Sequence, residues 1–286
     1  MANAQQTPVL PGELGDVPGW FPALDQTLFT WFLQRQESLG QRGDLLELGV
    51  YLGKSAILLG RHSRPGETFT VCDLFEDDAP DGANQAESSK SYGSLTRQAF
   101  ERNYLSFHDT LPQVVQGPSS VITDVVAAGS CRFVHIDASH LYEHVHDDIG
   151  AARELLVPDG IVVLDDFRSE HTPGVSVATW EAVLNRGLRP VCLSTQKLYG
   201  TWGDPEGVQE ELLGMLRGRA DCGLSVQEAA GHRLVRVRYR GMPKSQPRPQ
   251  PKRRPRSRVR GIAVDLLPPV VTRAVRASLK ARAGGG

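Results

Sequence analysis

The segment spanning residues 132–167 constrains the fold of this chain most strongly. It holds two short apolar runs, residues 133–136 and 161–164, that are rich in Val and Ile and are typical of buried strands. Residues 158–160, Pro-Asp-Gly, are expected to end a helix between them. That helix is predicted from apolar residues at helical spacing, namely Val145, Ile149, Ala152 and Leu156. Strand, helix and strand in this order predict a right-handed crossover between parallel neighbours.

Carboxylates follow both predicted strands. Asp137 comes directly after the first, and Asp165 and Asp166 come directly after the second. Parallel neighbours place their carboxyl ends side by side, at the rim where open α/β sheets bind ligands. Three acids so close together would repel one another unless a cation lay among them, and a hard divalent ion suits an all-oxygen ligand set. The alternative is that Asp165 and Asp166 cap the following turn and Asp137 is a solvated loop acid.

A glycine-containing turn follows an earlier predicted strand, residues 44–50, in the sequence E-L-G-V-Y-L-G-K-S. Gly49 and Gly53 lie where this strand gives way to a helix at residues 55–61, and glycine there permits a tight turn and close approach of a ligand. The helix directs free N–H groups at that ligand. The pattern is not G-x-G-x-x-G, which makes a nicotinamide-dependent dehydrogenase a weaker alternative.

The next predicted strand, residues 68–74, carries Asp73, which lies 24 residues after Gly49. An acid at this place can accept two hydrogen bonds from a ribose diol. Glu47, before the glycines, strengthens the interpretation of the turn as part of a ligand site. The alternative is that Asp73 simply starts a turn.

Strand and helix patterns alternate along the rest of the chain, which predicts an α/β fold with a doubly wound, mostly parallel sheet flanked by helices. The polar residues 76–95 predict a long loop of the kind that often acts as a lid. Further helices are predicted at residues 23–39, 95–104, 120–128, 175–185 and 205–219. Further strands are predicted at residues 114–116, 189–194, 197–202 and 233–239.

The chain has 286 residues, a length that suits one large domain with appendages. We expect an N-terminal segment and helix at residues 1–43, a main domain at 44–241 and a basic tail at 242–286. The four cysteines are scattered without a C-x-x-C pair, and residues 1–19 lack the order of a signal peptide. No apolar run reaches the roughly 20 residues of a membrane span. These features predict a cytoplasmic protein with reduced thiols.

Charge divides unevenly along the chain. The tail carries 12 basic residues and one acid, hence +11, whereas residues 1–241 carry −12. An acidic body gives no reason to expect nucleic-acid binding. Residues 242–260 predict a disordered linker, and residues 262–282 a short basic amphipathic helix. A solvated tail, peripheral contact with an anionic membrane surface, and packing against the acidic body remain open.

Taken together, these motifs resemble class I S-adenosylmethionine-dependent methyltransferases, and among them the metal-dependent O-methyltransferases of the catechol and macrocin kind. The resemblance covers about residues 44–202. E-L-G-V-Y-L-G-K-S is similar to their first cofactor motif. H-I-D-A-S-H-L-Y-E-H-V-H-D-D, followed by P-D-G-I-V-V-L-D-D-F, is similar to the metal-binding half of the bacterial branch. The resemblance implies a Rossmann-like sheet, S-adenosylmethionine as cofactor, and Mg²⁺ or another divalent cation.

The resemblance also implies a role for each motif residue. Asp73 would bind the ribose hydroxyls, Ser119 would lie near the adenine, and His140 would be the catalytic base. The methionine end of the cofactor would be held by the first motif, through Glu47, Gly49, Tyr51, Gly53 and Ser55. The divalent ion would be held by Asp137, Asp165 and Asp166, with Asp137 also close to the cofactor.

The predicted reaction is O-methylation of a hydroxylated small molecule. The third metal ligand is an amide in the catechol enzymes but Asp166 here, which favours the antibiotic-tailoring branch and a natural-product sugar or related secondary metabolite as acceptor. A divalent cation would make a hydroxyl more acidic, and a nearby imidazole could take its proton. Two alternatives remain, a metal-independent methyltransferase and a non-catalytic cofactor-binding scaffold.

Overall fold

The computed structural model describes residues 10–79, 82 and 95–240. In this part of the chain the strands are β1 Asp44–Leu48, β2 Phe69–Asp73, β3 Gln113–Gln116, β4 Cys131–Ile136, β5 Leu156–Leu164, β6 Arg189–Leu193, β7 Leu198–Thr201, β8 Cys222–Ala229 and β9 His232–Tyr239. They form one sheet in the order β3-β2-β1-β4-β5-β7-β6-β9-β8.

Helices cover both faces of this sheet. They are α1 Ala23–Ser38, α2 Lys54–Gly60, α3 Arg97–Leu105, α4 Ile122–Val125, α5 Tyr142–Leu155, α6 Pro173–Asn185 and α7 Glu206–Arg217, with short 3₁₀ helices at Leu14–Asp16 and Ser119–Val121. None of the helices in the described ranges combines the length and apolar character that crossing a bilayer requires.

Two apolar cores lie on opposite faces of the sheet. Leu28 of α1 belongs to one core, and Ile149 of α5 belongs to the other. The neighbours Leu45 and Leu46 of β1 are divided between the two cores, because successive side chains of a strand point to opposite faces. The alternation of apolar residues thus places helices on both sides of the sheet, and the predicted doubly wound α/β fold is confirmed.

The pairing of β4 with β5 positions the residues singled out in the sequence. The two strands are parallel, with Ile136 opposite Leu164. Asp137 and Asp165 therefore leave the sheet side by side. Strands β3, β2, β1, β4 and β5 are all parallel, so their carboxyl ends form one rim.

The other end of the sheet is mixed. Strand β7 runs antiparallel to both β5 and β6, and β8 forms an antiparallel hairpin with β9. The sequence predicted β9 but not β8, since β8 is exposed over residues 225–229 and lacks a regular apolar alternation. Its strand conformation depends on hydrogen bonds to β9.

Two predicted boundaries were wrong. Residues 158–160 lie inside β5, which begins at Leu156, and they bulge outward as the register moves from Cys131 opposite Leu156 to Phe133 opposite Ile161. Asp159 has a φ of 60°, which lets the strand resume after the bulge. The helix predicted at residues 120–128 is shorter than expected: it is α4, Ile122–Val125, and the 3₁₀ helix Ser119–Val121 precedes it. The tail at 242–286 and most of the loop predicted at 76–95 lie outside the described residues.

Candidate functional site

A cavity of about 1100 Å³ lies at the carboxyl-end rim of the parallel strands. It is the place where open α/β sheets bind ligands. Most of the predicted site residues line it together, namely Gly49, Tyr51, Ser55, Asp73, Ser119, Asp137, His140, Asp165 and Asp166. Glu47 and Gly53 are not among the lining residues. The structure therefore gathers residues from the carboxyl ends of five strands around one space.

Gly49 and Gly53 shape the turn between β1 and α2. Gly49 has a φ of 78°, and a Cβ there would overlap the carbonyl oxygen of Asp137. Gly53 has a φ of 92°, and a Cβ there would lie 3.0 Å from the ring of Phe100. Both positions require glycine because of conformation and space. The close approach of Gly49 to Asp137 brings the turn against the end of β4.

Asp73 is already engaged by the backbone of this turn. Its Oδ2 accepts hydrogen bonds from the N–H groups of Val50 at 2.7 Å and Tyr51 at 3.1 Å. Its Oδ1 accepts one from Phe75 at 2.7 Å. Burial raises the pKa of Asp73, although these three N–H groups oppose the shift. Asp73 thus fixes the glycine turn, and its predicted contact with a ribose would add to that role.

We expect Asp73→Ala to weaken both cofactor binding and the fold. The substitution leaves any ribose hydroxyl without a partner, which should weaken cofactor binding by about 1–3 kcal/mol. It also removes the acceptor of two N–H groups in the turn, which should lower the free energy of unfolding by about 1–3 kcal/mol. Calorimetry with S-adenosylhomocysteine measures the first effect and thermal unfolding the second. Asp77→Ala, in the exposed loop that follows, is the matched control. Unchanged affinity in the Asp73 variant would refute the ribose contact.

Glu47 lies behind the cavity wall. It is fully buried, and its Oε1 lies 2.7 Å from Nδ1 of His135. Its Oε2 has no hydrogen-bond partner among the described residues. Burial raises the pKa of Glu47 to about 8, so the carboxyl group is mostly protonated at neutral pH. A protonated Glu47 beside His135 can occupy this apolar position without an uncompensated charge.

The three predicted metal ligands are divided between two clusters. In one, ligand atoms of His135, Asp137 and Asp165 lie within 4.8 Å of one another. In the other, the same is true of Asp137, His140 and Asp166. Asp137 belongs to both clusters, so a cation could be held on either side of it.

The residue that sequence reasoning missed is Lys197. Its side chain is 1% exposed, and its Nζ donates a hydrogen bond to Oδ2 of Asp165. The same Nζ lies 3.4 Å from Nε2 of His135. Burial lowers the pKa of Lys197, while nearby carboxylates oppose the shift. Nothing local marked this residue, because lysine next to a turn is normally exposed.

Lys197 decides which cluster suits a divalent ion. Its ammonium group already compensates Asp165, and it would repel a second cation beside His135. The cluster of Asp137, His140 and Asp166 lines the cavity and offers two carboxylates for an ion, with the imidazole of His140 beside them. These donor types fit Mg²⁺ or Mn²⁺ with water completing the shell. Asp165 would reach the same ion only after releasing Lys197.

Asp166 is held in place by its neighbours. Its φ of 54° lies in the left-handed region, and its Oδ1 accepts a hydrogen bond from Ser169 at 2.6 Å. Its Oδ2 lies 3.4 Å from Nε2 of His140, whose ring contacts that of His171 edge to face. Burial raises the pKa of Asp166, but the hydrogen bonds from His140 and Ser169 outweigh it and lower the pKa overall. Asp166 is therefore ionised at neutral pH.

The N-terminal segment also reaches the cavity. Trp20 lines it while remaining 74% exposed, and its ring stacks on that of Tyr51 at a centroid distance of 5.7 Å. Lys54 of α2 donates a hydrogen bond to the carbonyl of Gly19 at 3.3 Å, which ties this segment to the glycine turn. No pattern in the sequence connects residues 19–21 with the ligand site.

Part of the chain matches a known family, and the fold is similar to that of a solved structure. Residues 46–167 match the family model described as a methyltransferase domain. The structure of the O-methyltransferase NovP is 18% identical, with a TM-score of 0.51, covering 63% of this chain and 81% of that one. The structure of CalS11, a TDP-rhamnose 3′-O-methyltransferase of calicheamicin biosynthesis, is 20% identical, with a TM-score of 0.41, covering 64% and 82%. No curated protein matches the sequence.

Proposed function

Residues 46–167 match a methyltransferase domain, and we propose that this protein is a class I S-adenosylmethionine-dependent methyltransferase that methylates a hydroxyl group of a small molecule with the help of a divalent cation. The observation that carries the proposal is the cavity, where the glycine turn and Asp73 meet the cluster of Asp137, His140 and Asp166. One part suits a nucleoside cofactor, and the other suits activation of a hydroxyl.

The cofactor would lie across the carboxyl ends of the strands. Its methionine end would rest against the turn at Gly49, where no side chain intervenes, and close to Asp137. Its ribose would lie at Asp73, at the end of β2, and its adenine near Ser119, after β3. In this proposal residues 44–241 form the catalytic domain, with Trp20 of the N-terminal segment at the cavity.

The acceptor would lie beside the acidic cluster. When bound, the cofactor supplies an electrophilic methyl group, and a divalent cation would make the acceptor hydroxyl more acidic. Asp137 and Asp166 would hold the cation. His140 would take the proton of the acceptor through its imidazole nitrogen. The protein's task is then to align the acceptor oxygen, the methyl carbon and the sulfur for in-line displacement.

A metal-independent methyltransferase is the second candidate, and the pair of Lys197 with Asp165 favours it. A buried ammonium group compensates part of the acidic cluster without any metal. With or without a metal, we favour a natural-product sugar or related hydroxylated metabolite as acceptor. This choice rests on Asp166 after β5 and on the resemblance of its motif to antibiotic-tailoring enzymes.

The test is a screen of hydroxylated natural products, glycosylated and not, with methyl-labelled S-adenosylmethionine. Label transferred to an oxygen of one class would establish the reaction and the acceptor together. Transfer to nitrogen or carbon would reject O-methylation. Cofactor binding without transfer to any acceptor would favour the non-catalytic scaffold.

We expect His140→Ala to lower the maximal rate by roughly 10²–10⁴-fold at neutral pH while cofactor affinity stays unchanged. A base must be unprotonated to act, so the wild-type rate should fall as the solution becomes acidic enough to protonate the imidazole. The variant should lack this acid limb. Rates against pH measure both effects, and His146→Ala, on the outer part of α5 beside Asp147, is the control. Full activity in the His140 variant would defeat the base assignment alone.

A further inference from the structure

Trp20 presents a large apolar surface at the cavity. The residue lines the cavity yet is 74% exposed, and its ring stacks on that of Tyr51 at a centroid distance of 5.7 Å. The hydrogen bond from Lys54 to the carbonyl of Gly19 holds the residue before it. Single exposed apolar side chains are common on protein surfaces, but this one is fixed in place beside a ligand cavity. Its indole is therefore a preformed contact surface for a ligand.

Trp20 lies at the end of the cavity where the acceptor would bind. Its partner Tyr51 belongs to the turn after β1, and the ring of the next residue, Phe21, lies 5.8 Å from Nζ of Lys197. Lys197 in turn pairs with Asp165 at the end of β5. The segment that carries Trp20 therefore extends from β1 towards β5. The proposed ribose and adenine positions follow β2 and β3, on the other side of β1 in the sheet.

Polar side chains line the same end of the cavity. Ser139 and His140 follow β4, His171 lies in the loop after β5, and Gln196 lies in the turn directly before Lys197. The rings of His140 and His171 are in edge-to-face contact. These side chains offer hydroxyl, imidazole and amide groups that donate or accept hydrogen bonds. The acceptor end therefore combines one exposed aromatic surface with several hydrogen-bonding groups.

A pyranose ring has the same division of character. Its C–H bonds form apolar faces, and its hydroxyl groups, which both donate and accept hydrogen bonds, project from the rim. A planar aromatic diol has two apolar faces and would pair with fewer of these polar groups. We propose that Trp20 is the platform on which the ring of a pyranose acceptor stacks, which makes it a specificity-determining residue. The inference rests on the proposed function, but not on the metal or on the base.

The first experiment follows the fluorescence of Trp20 in the whole chain loaded with S-adenosylhomocysteine. The probes are methyl α-L-rhamnopyranoside and methyl β-D-glucopyranoside, which carry no aromatic ring that could itself stack on the indole. The difference between the emission of the wild type and that of Trp20→Phe reports Trp20 alone, since the other tryptophans are common to both. We expect this emission to move to shorter wavelength as a probe binds, because stacking displaces water from the indole.

Calorimetry of the same loaded proteins gives the affinities. Trp20→Ala should bind the preferred glycoside at least about fivefold more weakly, and Trp20→Phe, which keeps a ring, should lie between Trp20→Ala and wild type. The affinity for S-adenosylhomocysteine and the thermal unfolding temperature should stay unchanged, because the indole is exposed and lies away from the nucleoside. In turnover, Trp20→Ala should raise KM for the glycoside by a similar factor while kcat changes less.

A second indole provides the control. Trp31 of α1 packs edge to face on Phe32 and is not among the residues that line the cavity. Trp31→Phe should therefore keep the wild-type affinity for the glycosides and the probe-dependent shift in emission.

Several outcomes would overturn the inference. Equal affinity of wild type and Trp20→Ala for the glycosides would do so, as would the failure of both glycosides to bind. Binding and methylation of catechol in their place would assign the platform to a planar acceptor and leave the proposed function intact. A fall in the affinity of Trp20→Ala for S-adenosylhomocysteine would place the indole in the cofactor site instead. Glycoside binding that depends on Trp20, without methyl transfer to any acceptor, would defeat the proposed function alone.

Discussion

Removal of divalent cations is expected to abolish methyl transfer, and Mg²⁺ or Mn²⁺ should restore it. Ligand atoms of Asp137 and Asp166 lie within 4.8 Å of each other, close enough to hold one ion beside His140, and both residues line the cavity. A cation at this place stabilises developing negative charge by several kcal/mol, which corresponds to a loss of at least about 100-fold when it is removed. Turnover with labelled cofactor, before and after chelation, measures the effect.

Substitutions identify the ion's ligands. Asp166→Ala should prevent recovery by added metal while leaving cofactor affinity largely unchanged, because the contacts of Gly49 and Asp73 lie elsewhere in the cavity. After chelation, Asp165→Asn should regain most of its methyl transfer on addition of metal, if the pairing with Lys197 keeps Asp165 from binding the ion. Loss of recovery in the Asp165 variant, with metal affinity reduced in calorimetry, would instead support the three-acid set expected from the sequence.

A control and a contrary outcome complete this test. Asp124→Ala changes an exposed acid of α4 and should behave as wild type. Full activity in a protein shown by elemental analysis to be free of metal would defeat the cation mechanism. The metal-independent methyltransferase, with Lys197 as the fixed positive charge, would then be the better description.

The second large effect is expected from Lys197→Met, which should destabilise the folded protein by about 3–5 kcal/mol. Removing the ammonium group leaves Asp165 as an uncompensated charge that is 8% exposed, with half-buried Asp137 and buried Glu47 nearby. Denaturant unfolding followed by circular dichroism measures the change. Loss of one partner of a buried pair costs more than the pair itself contributes, because the remaining charge stays desolvated.

Companion variants separate charge from packing. Lys197→Met combined with Asp165→Asn should recover much of the lost stability, since the unpaired charge is then gone. Arg233→Met breaks the exposed pair with Glu210 and should change stability little. Equal stability of wild type and Lys197→Met would show that the ammonium group does not compensate Asp165. The same variant should bind divalent cations more tightly, because a competing positive charge has been removed.

Local patterns in the sequence were sufficient for the fold and for most of the candidate residues that line the cavity together, while Ser119 and His140 were named only through the family resemblance. Apolar residues with a period of two or of 3.6 identified the parallel strands and their helices, because those periods follow from backbone geometry. Once β4 and β5 were parallel neighbours, Asp137 and Asp165 had to leave the sheet side by side. The glycines after β1 marked a tight turn, and the overlap of a Cβ at Gly49 with the backbone of Asp137 explains why glycine is required there.

The tertiary structure alone decided how the charges are compensated. Strand β7 returns antiparallel to β5 and brings Lys197 to Asp165, 32 residues away, so no local pattern could predict the pair. The N–H groups of Val50 and Tyr51 that engage Asp73, more than 20 residues along the chain, likewise depend on contact between distant elements. Sequence periodicity reports which face of an element is buried, whereas the electrostatics of a site depend on which buried groups meet.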